Sequence, residues 1–127
     1  ILMKTVHVLR LAILLTFFLG GCATNQLTDE QIASADYGPY PENYREIVKA
    51  YFSAALKDPY SANYNFERPY KGYSTKSILA GGGPDKFGYL VKVYVNAKNS
   101  FGAYTGWEPY LFLIRNGRII QRITVFQ

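Results

Sequence analysis

Apolar and polar positions change rhythm near Asp58, and the change predicts one helix followed by a sheet. Before it, Tyr44, Ile47, Val48, Tyr51, Phe52, Ala55 and Leu56 recur at the spacing that lines one side of a helix. Arg45, Glu46, Lys49, Ser53 and Lys57 take the other side. Glu42 and Glu46 lie toward the positive end of the helix dipole and Lys57 toward the negative end. Pro41 suits the first helical position, where its missing N–H costs nothing, and Asp58-Pro59 stops the helix. The polar side is mixed in sign and the aromatic side is short, so packing on a sheet is favoured over lying in a membrane surface.

After Asp58 the period becomes two. Tyr89, Val91, Val93 and Val95 alternate with Leu90, Lys92, Tyr94 and Asn96, which describes a half-buried strand. Further alternations run from Tyr110 to Arg115 and from Arg118 to Phe126, with Asn116-Gly117 between them as a hairpin turn. A regular two-residue hairpin pairs Ile114 with Ile119, Phe112 with Gln121 and Tyr110 with Ile123. That face should meet the helix. The opposite face carries Leu111, Leu113 and Ile120 beside Arg115, Arg118 and Arg122, and is too apolar to be simply wet. Asn63 to Glu67 offers a short edge strand, whereas Arg68 to Tyr73 and Gly81-Gly82-Gly83-Pro84 read as an irregular excursion. The expected fold is therefore α+β, one amphipathic helix packed on an antiparallel sheet of three to four strands.

Upstream, a basic opening containing Lys4 and Arg10 leads into an apolar run from Leu11 to Leu19, closed by Gly20-Gly21-Cys22. These are the parts of an export signal, and the run is shorter than the ~20 apolar residues that cross a bilayer. Leu19-Gly20-Gly21-Cys22 resembles the lipobox of bacterial lipoproteins. The resemblance implies cleavage before Cys22 and lipid attachment at that residue, with acyl chains such as palmitate holding the chain to membrane lipid. Ala23 after the cysteine, in place of Asp, resembles the pattern of lipoproteins sent to the outer membrane, with the domain facing the periplasm. Two or more acyl chains anchor stably where one does not. The domain reading is then 1–21 signal peptide, 22–38 polar lipidated tether and 39–127 folded domain. A short turn at Thr28-Asp29-Glu30-Gln31 is the only local structure expected within the tether.

Composition sharpens this picture mainly by exclusion. Cleavage before Cys22 would leave 106 of the 127 residues, enough for one domain. The net charge of +5 falls to +3 as Lys4 and Arg10 leave, and no Lys/Arg cluster marks a nucleic-acid groove. One cysteine excludes an intramolecular disulfide and a multi-cysteine metal site. The single histidine, His7, lies in the leader, which removes Ser-His-Asp and Cys-His catalysis from the remainder. Gly81-Gly82-Gly83 lacks the following Gly-Lys-Ser/Thr of a phosphate loop. No cofactor and no metal is expected. Asp58, Glu67, Asp85 and Glu108 are the acids outside helix and tether, and Glu108 beside Trp107 would be the centre of an acid-based hydrolase.

All twelve tyrosines lie beyond Cys22, an endowment that suits either a shallow core or a recognition surface. The loop from Asn96 to Trp107 sets Phe101, Tyr104 and Trp107 among glycines. Those rings either bind a glycan or another ligand, or fold back to cap the core. Leu56-Lys57-Asp58-Pro59-Tyr60-Ser61-Ala62 and Val95 through Gly106 also resemble motifs of small exported proteobacterial proteins. That resemblance implies a compact exported domain and carries no activity. The leading expectation is a non-catalytic envelope lipoprotein contacting a protein partner through Leu111, Leu113 and Ile120. The alternative is a cell-wall glycan or small-ligand module using Phe101, Tyr104 and Trp107, and the weaker one is the hydrolase.

Overall fold

The computed structural model describes residues 26–75 and 85–124. Cys22, the leader and the Gly81–Gly83 turn lie outside the described residues. The chain divides into two compact units, 1–33 and 34–127. In the first, the expected turn is a short helix, α1 (Asp29–Ser34), entered through a capping box. The Gln31 N–H donates to Thr28 Oγ1 at 3.2 Å, and the Thr28 N–H donates back to Gln31 Oε1 at 2.9 Å.

The second unit holds one long helix, α2 (Tyr44–Ala55), and a sheet of β1 (Asn63–Phe66), β2 (Tyr70–Ser74), β3 (Lys86–Asn96), β4 (Glu108–Arg115) and β5 (Arg118–Ile123). Every strand pairing is antiparallel, in the order β1-β3-β4-β5, with β2 also on β3. The architecture is the expected α+β layer, but the sheet has five strands, not three or four. The additional strand is β2, which occupies part of the stretch read as an irregular excursion.

Strands β1 and β2 lie along the same edge of β3, pairing with Val93–Asn96 and with Lys86–Leu90 respectively. Three residues, Glu67, Arg68 and Pro69, oppose only Val91 and Lys92, so the edge is a single line broken by an extra residue. Glu67 keeps the ladder by donating its N–H to the Lys92 carbonyl at 2.9 Å. Pro69 has no N–H to give, and it sits where the ladder is already interrupted.

Helix α2 starts three residues after Pro41, whose carbonyl accepts the Tyr44 N–H at 3.0 Å. It buries Tyr44, Val48 and Phe52 against Val91, Val93, Val95, Phe112 and Ile114, with Ile47, Tyr51, Leu56, Tyr64, Tyr110 and Ile119 around them. Ala55, read as part of the apolar stripe, is exposed. Phe52 is the hub, with ring centroids 4.8 Å from Tyr110, 5.1 Å from Tyr51 and 5.8 Å from Phe112. Full burial of such a ring is worth about 2–3 kcal/mol, and each aromatic pair adds about 0.5–1.5 kcal/mol.

The hairpin turn forms at Asn116-Gly117 with positive φ at both residues, as a type I′ turn demands. Ile114 pairs with Ile119 as expected, but the register then shifts by one residue. Phe112 faces Arg122 rather than Gln121, and Ile123 faces Leu111 rather than Tyr110. The extra residue, Ile120, turns every later side chain to the other face. Arg122 thereby comes over the Tyr110 ring at 4.9 Å on the helix side, a place expected for Ile123. On the far face Leu113 has no exposed surface, and Leu90 and Leu111 are half-buried.

The fold also takes in residues read as the end of the tether. Tyr37 is buried and meets Phe87 edge-on at 5.5 Å. Asp36 pairs with Arg115 at 2.9 Å, and Arg115 also donates to the Asp36 and Phe87 carbonyls. The compact unit accordingly begins at Ser34, five residues before Pro39.

Candidate functional site

The loop between β3 and β4 is ordered by its own backbone and by two asparagines. Lys98 bridges to Tyr104 across it, Asn99 N–H donates to the Ala103 carbonyl at 2.8 Å, and Thr105 N–H to Ala97 at 3.2 Å. Asn99 Oδ1 accepts the N–H groups of Phe101 at 2.9 Å and Ala103 at 3.2 Å. Asn96 Oδ1 accepts Gly106 N–H at 3.1 Å. Gly102 and Gly106 take φ of 77° and 97°, a region that carries a steric cost for residues with a Cβ. Short polar side chains bonding the backbone two to four residues on are what shape such a loop.

The rings on this loop point outward. Phe101 is 95% exposed, Trp107 53% and Tyr104 49%. None of them belongs to the core cluster, so of the two sequence readings the capping one is not what the loop does. Leu111, Leu113 and Ile120 look different: Leu113 is buried outright and the other two are half-buried. The structure does not bring these three out as an exposed patch.

A neighbouring turn completes the aromatic end, and its part was not foreseen. The 3₁₀ turn Pro59–Ser61 is locked to the loop through Ser61, whose Oγ accepts Lys98 N–H at 2.9 Å and whose carbonyl accepts the Tyr104 hydroxyl at 3.1 Å. Tyr60 on this turn is fully exposed. Beside it lies an open hollow of about 260 Å³ lined by Lys49, Ser53, Pro59, Tyr60 and Tyr64. Burial raises the Tyr64 hydroxyl above its ordinary range. The only signal in the sequence was a tyrosine placed directly after a helix-stopping Asp-Pro.

Glu108 and Asp85 do not converge. Glu108 accepts the Tyr110 hydroxyl at 2.9 Å, and Glu67 pairs with Lys92 at 3.2 Å. Burial first, then the hydrogen bond to Glu108, pushes the Tyr110 hydroxyl up. Hydrogen bonds that the Lys92 ammonium donates to Tyr94 and Glu67 hold it above its usual range. Glu108 pairs with Val95, ten residues along β3 from Asp85 and hence about 33 Å away at the rise of a strand, whereas glycosidase carboxyls stand about 5–9.5 Å apart. Among the described residues no group of three His, Cys, Asp or Glu side chains is placed to hold a metal. No family model, curated protein or solved structure matches this chain.

Proposed function

We propose that this chain is a lipid-anchored envelope protein, non-catalytic, that contacts a protein partner through the aromatic loop. The anchor reading rests on the lipobox-like Leu19-Gly20-Gly21-Cys22, and Ala23 after it supports the outer membrane, with the domain facing the periplasm. The observation carrying the contact reading is Phe101, 95% exposed on a loop that backbone hydrogen bonds already hold in shape. A protruding ring on a pre-ordered loop loses little conformational entropy on binding, and rigid aromatic anchors dominate protein interfaces. Phe101, far more exposed than Tyr104 or Trp107, forms a knob suited to insertion in a partner's pocket. The far face of the hairpin, with Leu113 already buried, is less suited to that role.

The test expresses the full chain in a Gram-negative host, solubilises the envelope in mild detergent and measures the size of the eluting species. The native chain should elute in an assembly well above the size of the detergent-bound monomer. Phe101→Ala with Trp107→Ala should release it to the monomer position, and Cys22→Ser should abolish labelling of the chain by radioactive palmitate. Equal elution of native and loop variants would remove the contact reading. Palmitate labelling that persists in Cys22→Ser, or is absent from the native chain, would remove the anchor.

A further inference from the structure

The hollow beside Tyr60 has the makings of a ligand site separate from the Phe101 knob. Its two long sides come from different elements: Lys49 and Ser53 lie four residues apart on one stripe of α2, while Pro59 and Tyr60 come from the 3₁₀ turn and Tyr64 from β1. The Tyr64 ring is held from behind, stacked on Phe66 at 5.7 Å and tilted against Phe52 at 5.9 Å. Tyr60 is held by its backbone instead. Its turn is closed by Ser61 Oγ donating to the Asp58 carbonyl at 2.8 Å and by Ala62 N–H donating to Pro59 at 3.3 Å. A fully exposed ring on a locked turn and a ring supported from the core thus both line one open hollow.

The polar groups define what the hollow would take. The Lys49 ammonium stands 5.8 Å from the centre of the Tyr64 ring and makes no ion pair among the described residues. An exposed cation–π contact is worth only about 0.5–1 kcal/mol, so this ammonium is free to turn toward an anion. Ser53 Oγ donates to the Ala50 carbonyl at 2.7 Å and keeps its lone pairs for an incoming hydroxyl or N–H. No carboxylate lines the hollow. At about 260 Å³ it falls just below the ~300–1,000 Å³ of drug-sized pockets, room for one six-membered ring and not for an extended strand.

We infer that the hollow formed by Lys49, Ser53, Pro59, Tyr60 and Tyr64 binds a single acidic sugar ring, its face against tyrosine and its carboxylate at Lys49. Aromatic rings take the apolar face of a sugar, Ser53 accepts from a ring substituent, and Lys49 supplies the charge-assisted bond that separates an acidic sugar from its neutral parent. This site does not depend on the protein contact at Phe101.

The experiment titrates the detergent-extracted full chain with N-acetylmuramic acid and, in parallel, with N-acetylglucosamine, following amide and tyrosine ring resonances. The acidic sugar should shift resonances around Lys49, Tyr60 and Tyr64, and the neutral one should bind about tenfold more weakly, the factor that 1.4 kcal/mol represents. Lys49→Gln should erase the difference between the two sugars, and Tyr60→Ala, a change at a ring that packs on nothing, should abolish both. Phe101→Ala should change neither titration, which separates this site from the partner contact. Absent shifts, shifts centred elsewhere, or unchanged discrimination in Lys49→Gln would overturn the assignment.

Discussion

Two regions of this domain spend the same kind of residue in opposite ways. Between α2 and the sheet, Phe52 meets Phe112 and Tyr110 edge to face, and Phe52 and Phe112 disappear from water. At the end of β3, Phe101, Tyr104 and Trp107 stand in solvent on a loop whose order comes from Asn96, Asn99 and its own backbone. Rings in the first region hold the fold; rings in the second are held by it. Substitutions should therefore separate the two regions by stability.

The largest effect belongs to the hub. Phe52→Ala removes a fully buried ring at the junction of α2, β1 and β4, and should cost about 3–5 kcal/mol in denaturant unfolding. Gly88→Ala comes next. A Cβ there would stand 2.4 Å from the Ile114 carbonyl oxygen, a backbone atom that moves only with β4, so a loss of about 1–3 kcal/mol is expected. Asn99→Ala strips an acceptor from two loop N–H groups and should cost about 0.5–1.5 kcal/mol, with faster hydrogen exchange at Phe101 and Ala103. Phe101→Ala should leave the unfolding midpoint nearly unchanged, within about 0.5 kcal/mol. A large loss there would place Phe101 in the structural class and collapse the contrast.

A finer test uses pH at the segment that leads into the domain. The Gly38 N–H first, then the Arg115 guanidinium, hold the Asp36 carboxyl below its ordinary value of 3.8. A depressed folded pKa contributes stability that is present above the unfolded value and disappears as pH falls through the folded one. Asp36→Asn should thus flatten the acid limb of the stability profile while leaving the shape near neutrality alone. Because Asp36 is solvated, the change should be small and should shrink further in high salt.

Much of the helix-side layer was legible because period and turn chemistry agreed. The 3.6 rhythm of Tyr44, Val48 and Phe52 and the Asn116-Gly117 pair each specify local geometry strongly. The bulge at Ile120 was not legible: Arg118 to Ile123 alternates no better in the shifted register than in the regular one, and only pairing decides. Strand β2 was hidden by Arg68-Pro69, which reads as a break and is one, although the chain rejoins the same edge of β3 directly afterwards. In the loop, the identity of the exposed rings was visible while their direction was not. Direction follows from which N–H groups Asn96 and Asn99 capture, a choice made by loop closure rather than by composition. Tyr60 and its hollow escaped because their lining is drawn from three elements.

The claim at the centre of this account is that the loop tip is a contact surface in the envelope, and site-specific photo-crosslinking tests it most directly. A photoreactive side chain would replace Phe101 in the full chain expressed in a Gram-negative host, with the same group at Glu42, exposed just before α2, as control. A discrete higher-mass protein adduct is expected from position 101 and none from position 42. Irradiation that yields no adduct at 101, or the same adduct from both positions, would contradict it.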